Sequence, residues 1–234
     1  MSLDIIIFAV VAAVLIARLR SVLGTRHGDE RRRGNPFEQV RAEAKNLEIE
    51  PKENLLSPDY PPQDPDSIVI DDNFIKAPKK DVEGIKKTLQ KLTSVDSTFD
   101  VQGFLTGARG AFEMITGAFA KGDNETLKPL LSEDLYSGFV SAISDREEKG
   151  YVSEYELHRI KEARVAAARL GGVMAYVTVD FDIEQTTTLK DKDGKVIEGD
   201  PDKITEVHDV WTFARDTRSR DPNWELVATQ LGDG

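Results

Sequence analysis

The side chains with the most chemical capacity in this sequence are three histidines, a large set of carboxylates and an arginine cluster near the carboxyl end. His27 sits among arginines. His158 and His208 lack the HxxH or HExxH spacing that puts two imidazoles on one helical face, so no zinc motif is present. Asp191, Asp193 and Gly194 resemble part of a calcium loop. Such a loop needs Gly at its sixth position and Glu at its twelfth, and here Gly is fourth, so the segment reads as a hairpin turn. The absence of cysteine excludes disulfides, thiolate nucleophiles and Cys-ligated zinc, and fits a reducing compartment. There is no phosphate-cradling glycine loop and no GxSxG nucleophile motif. An enzyme would need a buried acid or base facing a pocket, for which His158, Asp180, Asp182 and His208 are the candidates. Arg215, Arg218 and Arg220 lie in one short turn, where they suit an acidic partner or lipid headgroups, or else pair with Asp216 and Asp221. The expectation is a protein with no cofactor and no metal.

The elements that must position these groups are legible from periodicity. Val207–Ala214 and Trp224–Thr229 are short runs of β-formers around the turn Arg215–Asn223, and each contains one of the two tryptophans. Asp221-Pro222-Asn223 is turn chemistry. The pair reads as a β-hairpin whose Trp211 and Phe213 need a surface to lie on. A helix over Val101–Lys121, with Asp100 as N-cap and Gly122 past its end, offers that surface through Phe104, Ala108, Phe112, Ile115 and Phe119. Thr106, Arg109, Glu113 and Thr116 form its polar face. Gly103, Gly107, Gly110 and Gly117 fall on a third line. Each glycine costs a helix about 1 kcal/mol relative to alanine, so this line implies either a close backbone or a hollow beside the helix.

Further helices are expected from Asp123 to Leu131 and from Ser132 to Gly150. Tyr155–Leu170 is ambiguous between helix and strand. Met174–Leu189 alternates as a strand with Val177, Val179, Phe181 and Ile183 on one face, and the acidic stretch to Lys203 reads as a loop. Helices first and strands last is the α+β pattern. The expected architecture is a curved antiparallel sheet of about four strands with helices covering one face.

The amino end is of another kind. Ile5–Ala17 is an uninterrupted apolar run that includes Ile5, Ile6, Ile7, Phe8, Val10, Val11, Val14, Leu15 and Ile16. Leu3–Leu19 as a helix spans roughly 26 Å, close to the hydrocarbon core of a bilayer, and Arg18 and Arg20 can snorkel to make up the difference. A cleaved signal peptide would want a cationic start, whereas the chain begins Met-Ser-Leu-Asp. A buried core helix of this length would have only RRRGNP and a proline-rich stretch beside it. The positive charge follows the run, at Arg18, Arg20, Arg26, Arg31, Arg32 and Arg33, which places the amino terminus outside and the remainder in the cytoplasm.

Seven of the ten prolines fall between Pro36 and Pro78, and that stretch is acidic, as suits an extended tether. Lys79–Leu92 then places Val82, Ile85, Leu89 and Leu92 on one stripe, with Lys79, Lys80, Lys86, Lys87 and Lys91 around it. Such a helix lies on an anionic bilayer, docks on a partner, or packs its stripe on the domain and leaves the lysines solvated. The chain therefore divides into an anchor (1–24), a basic and then acidic linker (25–78), a basic amphipathic segment (79–99) and a folded domain (100–234). Overall net charge is −11, and from residue 81 onward acids exceed bases, which argues against nucleic-acid binding.

Two stretches carry a family signal: FLTGARGAFEMITGAFAKGDNETLKPLLSEDLYSGF and VWTFARDTRSRDPNWELVAT. They resemble the Tim44-like domain family, over residues 80–232, and the anchor and linker are similar to its bacterial, TimA-type branch. The resemblance implies an NTF-two/cystatin-like fold with a hydrophobic pocket or groove, for which Phe104, Gly107, Phe112, Ile115, Trp211 and Phe213 are the candidate lining residues. It further implies a non-enzymatic adaptor at the bacterial inner membrane that holds a protein partner, from translocation or chaperone machinery, near anionic lipids. Arg18, Arg20, Arg31, Arg32, Arg33, Lys86, Lys87 and Lys91 would meet the headgroups. The chain departs from the mitochondrial branch in carrying its own apolar segment and in lacking a long coiled-coil region, so chaperone binding does not carry over. A pocket for lipid or hydrophobic peptide, and an enzyme on the same fold, are the alternatives.

Overall fold

The computed structural model describes residues 68–232. The apolar run Ile5–Ala17 and the linker as far as residue 67 lie outside the described residues. Among those described, no helix is long and apolar enough to cross a membrane.

A single 3-10 turn, Asp72–Phe74, leads into helix α1 (Lys79–Val95). Ile85, Leu89 and Leu92 of its stripe are buried and Val82 packs against them. The stripe is thus taken up by the domain, and the bilayer-lying form of this helix is not what the fold adopts. Helix α2 (Val101–Lys121) starts where Asp100 accepts a hydrogen bond from the Gly103 N–H at 2.6 Å, and stops at Gly122, whose φ of 72° is left-handed. Phe104, Ala108, Phe112 and Ile115 are buried as the periodicity predicts, but so is Thr116 of the expected polar face. Its hydroxyl escapes the burial cost by donating to the Phe112 carbonyl at 2.7 Å.

Helix α3 is only Asn124–Leu127. The longer helix expected to Leu131 gives way because Leu131 bridges Leu226, with Leu226 N–H donating to Leu130 O at 2.8 Å and Ser132 N–H to Leu226 O at 2.9 Å. Helix α4 (Glu133–Glu148) has Ser132 at its N-cap position, though that hydroxyl makes no capping bond. Gly150, φ 68°, follows its end.

The sheet is antiparallel throughout, with strands β1 (Val152–Gly171), β2 (Met174–Lys190), β3 (Val196–Gly199), β4 (Thr205–Asp216) and β5 (Glu225–Leu231). The order is β1-β2-β4-β5, and β3 pairs with the far end of β2. Five strands therefore replace the expected four, and the extra one lies in the stretch read as a loop. Val196 and Ile197 are β-branched, Glu198 pairs with Leu189, and Gly199 closes the strand at φ 78°. A Cβ there would stand 2.0 Å from the Thr187 carbonyl oxygen, so glycine is required.

Tyr155–Leu170 is strand, not helix. Register shifts between Leu157 and Arg159, Ile160 and Glu162, and Val165 and Ala167 break its alternation, which is why the sequence shows no clean period. Ala175, Val177, Val179, Phe181 and Ile183 of β2 face the helices and are buried, while Asp180, Asp182 and Glu184 point the other way. Phe112 lies 4.8 Å from Phe181 and 4.4 Å from Trp211, ring centre to ring centre, at the middle of the core.

Candidate functional site

A cavity of about 450 Å³ opens beside the N-terminal half of α2. Phe99, Phe104, Phe213 and Trp224 give it aromatic walls, and Met114, 50% exposed, lies at its rim. Phe104 packs against Trp224 at 4.8 Å and Phe213 at 6.0 Å, so the terminal hairpin rests on α2 as the sequence predicts. Phe119 does not share in this: it packs on Phe139 of α4 at 5.1 Å. A Cβ added at Gly107, Gly110 or Gly117 would meet nothing within 4 Å, and at Gly103 it would meet only its own cap, Asp100. Close backbone approach is thus excluded as the explanation for Gly107, Gly110 and Gly117. Gly103 and Gly107 border the cavity itself.

Of the six candidate pocket residues, Phe104, Gly107 and Phe213 line this cavity. Ile115 and Trp211 border a separate small crevice towards the other end of α2, and Phe112 is solid core between the two.

Arg215 lines the cavity and is the functional side chain that sequence reasoning misplaced. The sequence offered it to a partner, together with Arg218 and Arg220. It is 7% exposed, and its guanidinium lies 2.9 Å from Asp96 in the α1–α2 connection. It also donates to Asp221 O at 3.1 Å, Thr98 Oγ1 at 3.3 Å and Ser219 O at 3.4 Å. One side chain thus ties together the two loops that form the cavity wall. Arg218 behaves as the alternative reading had it, pairing with Asp216 at 2.8 Å on the surface. That contact pulls the Asp216 carboxyl down to about 2.

The four candidates for acid–base chemistry do not face this cavity. Asp180, Asp182 and His208 meet on the opposite face of the sheet, where their ligand atoms lie within 4.8 Å of one another, a spacing suited to a divalent cation. The Lys76 ammonium stands among them, 2.7 Å from Asp180 and 3.1 Å from Asp182, and supplies the positive charge that site needs. His208 Nδ1 also contacts Asp182. Burial pulls the Lys76 pKa down, but its bonds to both aspartates outweigh this and hold it above the ordinary lysine value. Burial likewise pushes Asp182 up, and Lys76 and His208 together bring it below the carboxylate norm. Lys76 belongs to the strand-like approach to α1, where its N–H donates to Val165 O at 2.9 Å. The cluster therefore fastens the incoming chain to the sheet. His158 is separate, 2.8 Å from Thr186 Oγ1.

Asp209 was not foreseen. It lies on the helix-facing side of β4, 1% exposed, and burial pushes its carboxyl up to about 7. Alternation along Val207–Phe213 already places Asp209 on the Trp211 face, so the signal was available.

On α1, Lys86 pairs with Asp72 of the preceding turn, and Lys87 and Lys91 are exposed. Arg18, Arg20, Arg31, Arg32 and Arg33 lie outside the described residues.

Residues 85–231 match the family model of the Tim44-like domain. The chain is 22% identical over 151 residues to the probable mitochondrial import inner membrane translocase subunit tin-44 of Caenorhabditis elegans, covering 63% of this chain and 36% of that protein. It is 25% identical over 146 residues to the mitochondrial import inner membrane translocase subunit TIM44 of Mus musculus, covering 61% and 32%. It thus spans about a third of the length of these curated relatives. Among solved structures, the intermembrane-space region of the chloroplast protein ARC6 is similar over 54% of this chain and 95% of that one, at 12% identity and a TM-score of 0.39. With a family match that runs from α1 to the last strand, the chain belongs to the Tim44-like domain family.

Proposed function

We propose that this chain is a non-enzymatic, membrane-tethered adaptor that engages a protein partner through the aromatic cavity beside α2. The observation that carries this is the kind of group lining that cavity. Its ionisable side chains, Asp100 and Arg215, are both engaged structurally, the first as the cap of α2 and the second by Asp96. Aromatic walls without a poised acid or base suit binding rather than proton transfer. The relatives, named as subunits of a mitochondrial import translocase, support a partner connected with protein translocation.

In this reading residues 1–24 anchor the chain in a bacterial inner membrane with the amino terminus outside, residues 25–78 supply reach, and the α+β domain stands in the cytoplasm. Arg18, Arg20, Arg31, Arg32 and Arg33 meet anionic headgroups. Because the apolar stripe of α1 is buried, this helix contributes only charge, through exposed lysines such as Lys87 and Lys91. The aromatic lining also favours a second reading, in which the cavity holds a lipid chain or hydrophobic peptide directly.

Fractionation with alkaline extraction tests the tether. Full-length protein should stay with the membrane pellet, and protein lacking residues 1–24 should leave it. Recovery of the full-length chain in the soluble fraction would overturn the anchor.

A further inference from the structure

A crevice distinct from the large cavity lies where α2 nears its C-terminus. Phe119 and Phe139 wall it, and Thr116, Ser153, Tyr155, Thr187 and Trp211 give it a polar lining. In the sheet register Tyr155 lies opposite Thr187 at one end of the β1–β2 hairpin, whereas Trp211 pairs with Val179, far along β2. All three nevertheless line the one crevice, and β1 carries three register shifts along its length, where a strand bends.

Three residues that line the crevice carry a buried polar atom without a hydrogen-bond partner: Tyr155 Oη, Thr187 Oγ1 and Trp211 Nε1. The Trp211 side chain is fully buried. Thr116 lies beside the Tyr155 phenol; its own proton goes to the Phe112 carbonyl at 2.7 Å, so towards the phenol it can only accept, which leaves the phenol's lone pairs open to the crevice. Burial pushes the phenol above the ordinary tyrosine range, so Tyr155 keeps its proton and can both donate and accept. Buried polar groups left bare are strongly disfavoured, and three around one small crevice select for something that pairs with all of them.

The lining defines its chemistry. An indole N–H only donates, so the occupant must accept, while the two hydroxyls ask for an atom that accepts, donates or does both. An oxygen meets these demands. It must be neutral, because no cationic side chain borders the crevice and the nearby Asp209 already disfavours negative charge on the phenol. The free volume of about 20 Å³ admits one water-sized group. We propose that this crevice is a binding site for one neutral oxygen held by Trp211 Nε1, Tyr155 Oη and Thr187 Oγ1. Its source is either a water molecule or the hydroxyl or carbonyl end of a small ligand. This site is independent of the adaptor reading, and neither stands or falls with the other.

The test compares full-length protein in detergent with Thr187→Val and Tyr155→Phe, which keep shape and remove one hydroxyl each. If the oxygen is bound, each variant lowers Tm by about 2–4 °C, and the double variant loses less than the sum because both hydroxyls serve one atom. If the lining is bare, deleting an unpaired hydroxyl relieves a cost, so a rise in Tm for either variant overturns the proposal. Two further measurements on the unmodified protein identify the source. A cross-peak between the ¹⁵N-labelled Trp211 indole proton and water, assigned by its survival in Trp224→Phe, identifies water. A retained mass by native mass spectrometry, lost in Thr187→Val, identifies a ligand. A lower Tm with neither signal also overturns the proposal, since packing alone then accounts for the loss.

Discussion

The two ends of helix α2 meet opposite surroundings. Near its N-terminus the helix presents Gly103 and Gly107 to a cavity of about 450 Å³, and the facing wall is made of loops. Towards its C-terminus Phe112 and Ile115 are sealed against β2 and β4, and only a crevice of about 20 Å³ is left. The same helix thus serves as a core element at one end and as the side of an open cavity at the other. The open end is where strand pairing gives out and loops take over, the usual place for recognition on a rigid scaffold. Loops alone would not hold a cavity open, and here the Arg215–Asp96 pair holds them.

The contrast breaks most completely if that pair is removed. Arg215→Ala strands the Asp96 carboxylate in a buried site, and urea unfolding should show a loss of about 3–5 kcal/mol. Retention of full stability would mean that the cavity wall does not depend on the clamp.

At the closed end the corresponding probe is Asp209. Its folded pKa of about 7 lies above the ordinary 3.8, so the native state holds the proton more tightly than the unfolded chain. Its contribution is complete at pH below about 4, is lost as pH rises towards 7, and is flat above that. The full excursion is at most about 4 kcal/mol. Asp209→Asn should flatten this slope, as seen by comparing Tm of the two proteins at pH 5 and pH 8. Equal slopes would place Asp209 in contact with solvent.

A smaller effect of opposite sign sharpens the comparison. Gly107→Ala adds a methyl into open space on a helix, so stability should rise by about 1 kcal/mol, while partner binding weakens as the cavity narrows. A loss of stability would mean that another backbone approaches there. The smallest effect is expected from Arg218→Ala with Arg220→Ala. Both side chains are exposed, and thermal unfolding should not distinguish this variant from the parent. Two adjacent sets of arginines in one turn would then differ entirely in consequence.

The sequence made the open end readable in part. Four glycines spaced along one helix imply a hollow or a close contact, and the hairpin's aromatic residues indicate what packs on α2. What it could not convey was pairing across long separations. Arg215 and Asp96 lie in different loops, and nothing in either segment marks a buried pair. Asp180, Asp182 and His208 alternate with the apolar positions of their strands, so their outward face was implicit, yet Lys76 as their partner lies far earlier in the chain. The bulges of β1 hid a strand behind an irregular period, and β3 is too short to give any period at all.

The central claim is that the open end of α2 receives a protein partner at the membrane. Met114, exposed at the cavity rim, is the position from which to test it. A photo-crosslinking amino acid placed there in the full-length chain, activated in intact membranes, should yield one discrete protein adduct that is diminished when Gly107→Leu fills the cavity. Adducts to lipid alone, or a protein adduct indifferent to Gly107→Leu, would contradict the account.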